Sequence, residues 1–288
     1  TCANLCTAPR YDHANSRETR YRLAMTALVN WFLNRVNKRT DPLPHPFSDE
    51  WRKVLASRVA FYAALPDDAD REQLERDIYW FIEQKHWTPF DLEIDDAKKV
   101  MIAAFACLLI NRRLDFGIFP RSPEIILRTN IFGDAVNAIA PDGSMHAIRQ
   151  HRSGEAWYRG PIVLAWSEIE ASLRGLRPNG NVIIHEYAHA LDYLDGAIDG
   201  TPPLESKEEL KSWELDFTRE FEDLRKQVEQ GRMSGLRAYG ATNAAEFFAV
   251  ATEAFFCDPQ TLRAKHPTIY TQLNNFFRHD PARWRRNR

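Results

Sequence analysis

Cysteine is scarce in this chain: 288 residues hold four, at positions 2, 6, 107 and 257. That excludes a disulfide scaffold, and a reducing, cytoplasmic setting is expected. Cys107 sits inside an apolar run and Cys257 follows Phe255-Phe256, so both read as small buried hydrophobes. Cys2 and Cys6 form a C-x₃-C pair too weak to assign. Long hydrophobic runs are absent as well. The longest, Val100 to Ile110, is bounded by Lys98-Lys99 and Arg112-Arg113, about half the ~20 residues a membrane-spanning helix needs. It reads as a fully buried core helix, and no membrane partner is expected. The N-terminal residues contain no apolar signal-like segment. Charge of one sign is also missing: 38 basic against 40 acidic side chains leave a net −2, which argues against direct nucleic-acid binding. No internal repeat or low-complexity block occurs. What is present, 44% hydrophobic and 12% aromatic residues, suits a soluble chain of enzyme size rather than a disordered one.

The pattern predicts a loose leader at 1–16, one domain over 17–277 and a basic tail at 278–288 with five arginines, read as a solvated terminus. Helices are expected over Arg17 to Lys38, Ser48 to Leu65, Asp70 to His86 and Ala97 to Ile110, separated by prolines and acidic turns. Glu124 to Thr129 and Pro161 to Trp166 are β-like, with Pro141-Asp142-Gly143-Ser144 as a turn between them, so a small sheet is expected between 120 and 170. Helices then return over Asn181 to Asp195, behind a Ser206–Glu209 capping box, and over Asn243 to Cys257. The class is α+β, mainly helical, with an N-terminal helical layer.

The strongest chemical signal is His185-Glu186-Tyr187-Ala188-His189, an H-E-x-x-H sequence. Helix positions four apart share a face, so both imidazoles can bind one zinc ion, and Glu186 can act as general base on the attacking water. Apolar neighbours, Val182-Ile183-Ile184 before and Ala188, Ala190 and Leu191 around, predict a buried helix. Two histidines there would be costly without a metal.

A catalytic zinc site needs a third protein ligand. A metzincin spacing offers Asp195, but Asp192 stands where that pattern needs glycine. Glu208, Glu209, Glu214, Glu220 and Glu222 lie off the apolar stripe of their helix and read as solvated. Glu246 and Glu253, two turns apart in an almost wholly apolar helix, are the other candidates. One can be a ligand and the other can orient a ligand histidine, a role for which Asp192 is a rival. Glu246 has a competing use in a capping box with Asn243.

HEYAHALD, GTPPL and LRAYGATNAAEFFAVATEAFF, supported by WFIEQKHW, AAFACLLI and GPIVLAWSEI, resemble the Mlc titration factor A family of zinc peptidases from roughly Phe47 to Asp280. The tyrosine–glutamate arrangement is also similar to the catalytic domain of anthrax lethal factor. The resemblance implies a zincin-like fold and one Zn²⁺ on His185, His189 and Glu246. It further implies Glu186 as base, Tyr239 as active-site tyrosine and a peptide or protein substrate. Its family name also implies a regulatory alternative: sequestration of a transcriptional repressor, Mlc, with peptidase activity secondary. The leader with Cys2 and Cys6 has no counterpart in that pattern.

Overall fold

The computed structural model describes residues 38–130, 161–175 and 180–284, together with two short strands at 136–139 and 145–148. The expected leader, the helix from Arg17 up to residue 37, the turn at 141–144 and residues 285–288 lie outside the described residues.

Ser48 caps the first helix, α1 (Asp49–Arg58), by accepting from the Trp51 amide. The continuous helix expected over Ser48 to Leu65 is in fact two. Val59 leaves helical geometry at φ −118°, ψ 88°, which buries its side chain and starts α2 (Ala60–Ala64) on a new axis. After Pro66, α3 (Asp68–Gln84) follows. It ends earlier than expected, because His86 belongs to strand β1 (His86–Pro89) instead. Trp87 and Thr88 are good strand formers, but four residues are too short to show a period of two.

Asp95 accepts from the Lys98 amide at 2.8 Å and caps α4 (Asp96–Leu108). Every residue from Val100 to Ile110 is buried, as the apolar run predicts. A helix buried on all sides cannot leave its C-terminal carbonyls to water. The last turn is closed by the Leu109 and Ile110 amides on Ala106 O and Cys107 O, and the fully buried Arg39 satisfies carbonyls just beyond it: Nη2 donates to Ile110 O at 2.8 Å, and Nη1 to Arg113 O and Phe116 O, both at 2.7 Å. Its charge is matched by a two-pronged pair with buried Asp77, at 2.8 and 2.7 Å.

A three-stranded parallel sheet lies in the order β1–β2–β5, with β2 (Glu124–Arg128) central and β5 (Ile162–Ala165) at one edge. His86 pairs with Glu124 and Leu127 with Leu164. Parallel neighbours need a crossover, and α4 supplies it between β1 and β2. Between β2 and β5, strands β3 (Val136–Ile139) and β4 (Met145–Ile148) pair antiparallel as a separate ribbon. The sheet is therefore small, as expected, but reaches back to residue 86.

From β5 the chain passes directly into α5 (Trp166–Leu173), then into α6 (Val182–Asp192), which ends in a 3₁₀ turn at Tyr193–Asp195. The amphipathic α7 (Lys207–Glu229) buries Trp213, Phe217 and Leu224 on one face. Asn243 caps α8 (Ala244–Cys257). Two further helices went unread in the sequence: α9 (Pro259–Lys265) and α10 (Pro267–Phe277), each opened by a proline in its first turn. Residues 278–284, assigned above to a solvated tail, pack against them: His279, Pro281 and Ala282 are buried, and Tyr270 donates to Asp280 at 2.5 Å. The whole is α+β and mainly helical. No helix among the described residues is long and apolar enough to cross a membrane.

Candidate metal centre

The H-E-x-x-H sequence lies on α6. Asn181 starts that helix by accepting from the Ile183 and Ile184 amides at 3.0 and 3.2 Å. The apolar sides of α6 are spent on packing; Tyr187 sits edge-on to Phe119, ring centroids 4.7 Å apart. The remaining face carries His185 and His189 toward α8. Both imidazoles and the Glu246 carboxylate are nearly enclosed, at 7%, 6% and 5% exposure. Glu186, one position on, is half-buried.

His185 Nε2 and His189 Nε2 lie 3.1 and 3.5 Å from Glu246 Oε2. One ligand atom from each of these three residues falls within a span of 4.8 Å. The other nitrogen of His185, Nδ1, is 2.8 Å from Glu253 Oε1. The two glutamates, seven residues apart on α8, thus bracket one imidazole. Because a carboxylate accepts, Nδ1 donates to Glu253, and Nε2 is the nitrogen turned toward Glu246. Glu246 Oε2 is buried and has no hydrogen-bond donor. A buried carboxylate oxygen without a hydrogen-bond donor is costly unless a cation meets it. Metal–ligand bonds of ~2.0–2.2 Å in a tetrahedron separate ligand atoms by roughly 3.3–3.6 Å, so the three residues fit a tetrahedrally held metal ion.

The sequence left Glu246 between two uses, and the structure separates them by atom. Asn243 Oδ1 accepts from the Glu246 amide at 2.9 Å, which completes the cap without the carboxylate. The carboxylate is then free to face the histidines, and Tyr239 donates to its Oε1 at 3.1 Å. Tyr239 rides on a 3₁₀ turn, Ala238–Ala241, just before α8. Asp195 is not among the three converging residues; its carboxylate accepts from the Ala197 amide at 3.0 Å. Asp192, the rival for orienting a histidine, accepts instead from Gly200 and Thr201 amides at 2.8 and 2.9 Å. Burial pushes its carboxyl up to about 8, against those two bonds.

Two residues of the site escaped the sequence reading. Gly200 has φ +80°, and a Cβ there would lie 2.4 Å from Ala244 O, so the loop touches the first turn of α8 directly. Its carbonyl accepts from Trp213 Nε1 at 3.0 Å. A glycine in a GTPPL loop was the available signal, but nothing local says what it approaches. Arg237 is the other: its guanidinium donates to the fully buried Glu253.

Two imidazoles and a carboxylate converging between two buried helices, with a glutamate beside the first histidine, make the donor set of a metal-dependent hydrolase. The chain belongs to the glucose-regulated metallo-peptidase M90 family, whose pattern it matches over residues 33–278. An uncharacterized protein of Synechocystis sp. is 34% identical over 241 residues, 82% of this chain and 86% of that one. Mlc titration factor A of Cronobacter sakazakii is 30% identical over 245 residues, 83% and 87% of the respective chains. Mlc titration factor A of Yersinia pestis is 36% identical over 144 residues, 48% of this chain and 52% of its own. The family resemblance noted in the sequence is thereby borne out, and with it a metallopeptidase-like function and a metal ion.

Proposed function

We propose that this protein is a zincin-like, zinc-dependent peptidase with His185, His189 and Glu246 as the metal ligands. The carrying observation is the donorless, buried Glu246 Oε2 facing both Nε2 atoms. When bound there, zinc supplies Lewis acidity toward the scissile carbonyl and the attacking water. Glu186, half-buried beside the first ligand, takes the water's proton and hands it to the leaving amine. Tyr239 turns its hydroxyl from Glu246 to the developing oxyanion. Edge strand β5, against which α6 packs, holds the substrate backbone by strand addition. The expected substrate is a peptide or protein in the cytoplasm, with aminopeptidase-like trimming and internal cleavage as the two alternatives.

The test is metal analysis of the purified protein, then turnover of chromogenic amino-acyl and internally quenched peptides. Glu186→Gln should keep its zinc yet lose at least ~10²-fold in hydrolysis, the usual scale for a general base. Undiminished turnover by the zinc-loaded variant removes Glu186 from the mechanism. The second reading is a regulator that sequesters a transcriptional repressor by contact. It is favoured by the name of the relatives, Mlc titration factor A. Under it, repressor capture survives Glu186→Gln.

A further inference from the structure

Glu253 has no exposed surface, and three donors converge on it. The Asn181 amide, at the start of the helix that carries the histidines, donates to Oε2 at 2.6 Å. His185 Nδ1 donates to Oε1 at 2.8 Å, and Arg237 Nη2 donates to the same oxygen. Among these three, Arg237 is the donor whose positive charge is permanent. It stands at the N-cap of the turn Ala238–Ala241, two residues before Tyr239. That turn is stiffened upstream, where the Leu236 amide donates to Ser234 Oγ at 3.0 Å. Gly180 closes the arrangement on a further side: a Cβ there would lie 3.1 Å from Glu253 Oε2 and 3.5 Å from Arg237 Cζ.

We propose that Arg237 is a positioning residue that locks the two halves of the metal centre together through Glu253. This rests on the zinc reading above. One half is the first turn of α6 with His185; the other is the turn that delivers Tyr239 to Glu246. Glu253 lies between them, and its buried charge needs a cation to remain where His185 can lean on it. A guanidinium suits this better than an ammonium, because its planar fork fixes direction as well as charge. Removing it frees Glu253 to shift, so His185 loses the partner that sets its ring orientation. The same change loosens the turn before Tyr239. Packing alone would stabilise the apo protein but would not make the effect depend on Glu253.

Zinc affinity, measured by competition with a chromophoric chelator on the full chain, reads this directly. Arg237→Met should bind zinc about 10-fold more weakly, at the low end of the ~10–100-fold effects of residues behind a metal ligand. Arg237→Lys, which keeps charge but not the fork, should fall between it and wild type. Glu253→Gln should also weaken binding, and adding Arg237→Met to it should cost nothing further. Gly180→Ala gives a milder loss without touching either charge. Cobalt loading supplies a second readout, since its visible bands move if the His185 ring reorients. Arg237→Met with wild-type affinity, or a double variant whose losses multiply, overturns the role of Arg237 alone. A wild type that takes up no zinc sinks the functional reading instead.

Discussion

Substituting Gly200 by alanine tests whether the loop after α6 sets Glu246, the proposed third ligand. At φ +80° a side chain costs about 1–2 kcal/mol in backbone strain. The new Cβ would also sit 2.4 Å from Ala244 O and 2.8 Å from Ala244 C, closer than real contacts allow. Either the loop retreats, stretching the bonds from Gly200 to Asp192 and from Trp213 to Gly200, or the first turn of α8 moves. Glu246 lies in that first turn. Strain and displacement together should cost ~3 kcal/mol, within the range of disruptive single substitutions. For a domain of this size that is roughly 6–12 °C in Tm. Gly231 is the control: it has φ +65° but nothing within 4 Å of its added Cβ. Gly231→Ala therefore isolates the backbone share, ~1–2 kcal/mol, and should leave zinc affinity unchanged. Calorimetry of both zinc-free variants, followed by chelator competition, gives the comparison. If Gly200→Ala costs no more than Gly231→Ala and binds zinc as well as wild type, the loop does not set the ligand.

Zinc stoichiometry should order the acidic residues: Glu246→Ala abolishes or severely weakens binding, Glu253→Ala weakens it ~10–100-fold, and Asp195→Ala leaves it nearly intact. Retained zinc in Glu246→Ala with collapse in Asp195→Ala reverses the ligand assignment. Lys85 gives a pH test away from the metal centre. It is buried with Nζ 2.8 Å from Ile118 O and 2.7 Å from Phe119 O, and burial pushes its ammonium down to about 7. Its unfolded value is ~10.4, so between about pH 7 and 10 the unfolded chain binds the extra proton. Stability should then rise with pH across that window, by up to ~1.4 kcal/mol per unit. Urea midpoints of the zinc-free protein should show this slope and Lys85→Met should lose it; an equal slope in the variant refutes the assignment.

What was legible in the sequence follows from range. The buried helix at Val100–Ile110, the amphipathic α7, the Asn181 and Asn243 caps and the His185/His189 face are written in local periodicity and capping chemistry, and each is observed. Glu253 as the support of a histidine was also readable, because heptad spacing puts it on the face of Glu246. The break at Val59, the short strand at His86–Pro89 and the packing of His279 depend on distant surfaces instead. Arg237 was missed for the same reason: a basic residue in a loop looks solvated until its buried partner, sixteen positions on, is known.

The Arg39 arrangement ties together parts of the chain far apart in sequence. Its acceptors are 38 residues away at Asp77, then 71 at Ile110, 74 at Arg113 and 77 at Phe116. Enclosing Arg39 without these partners would strand a bare charge. Asp77 alone cannot settle it, since three carbonyls beyond the end of α4 still await their donor. Loop closure over those separations carries an entropic cost that these bonds help to offset. Losing the Arg39 guanidinium would therefore strip Asp77 of its cation and leave three carbonyls after α4 without that donor at one stroke, so a single side chain acts as a bolt between α3 and the turn that follows α4.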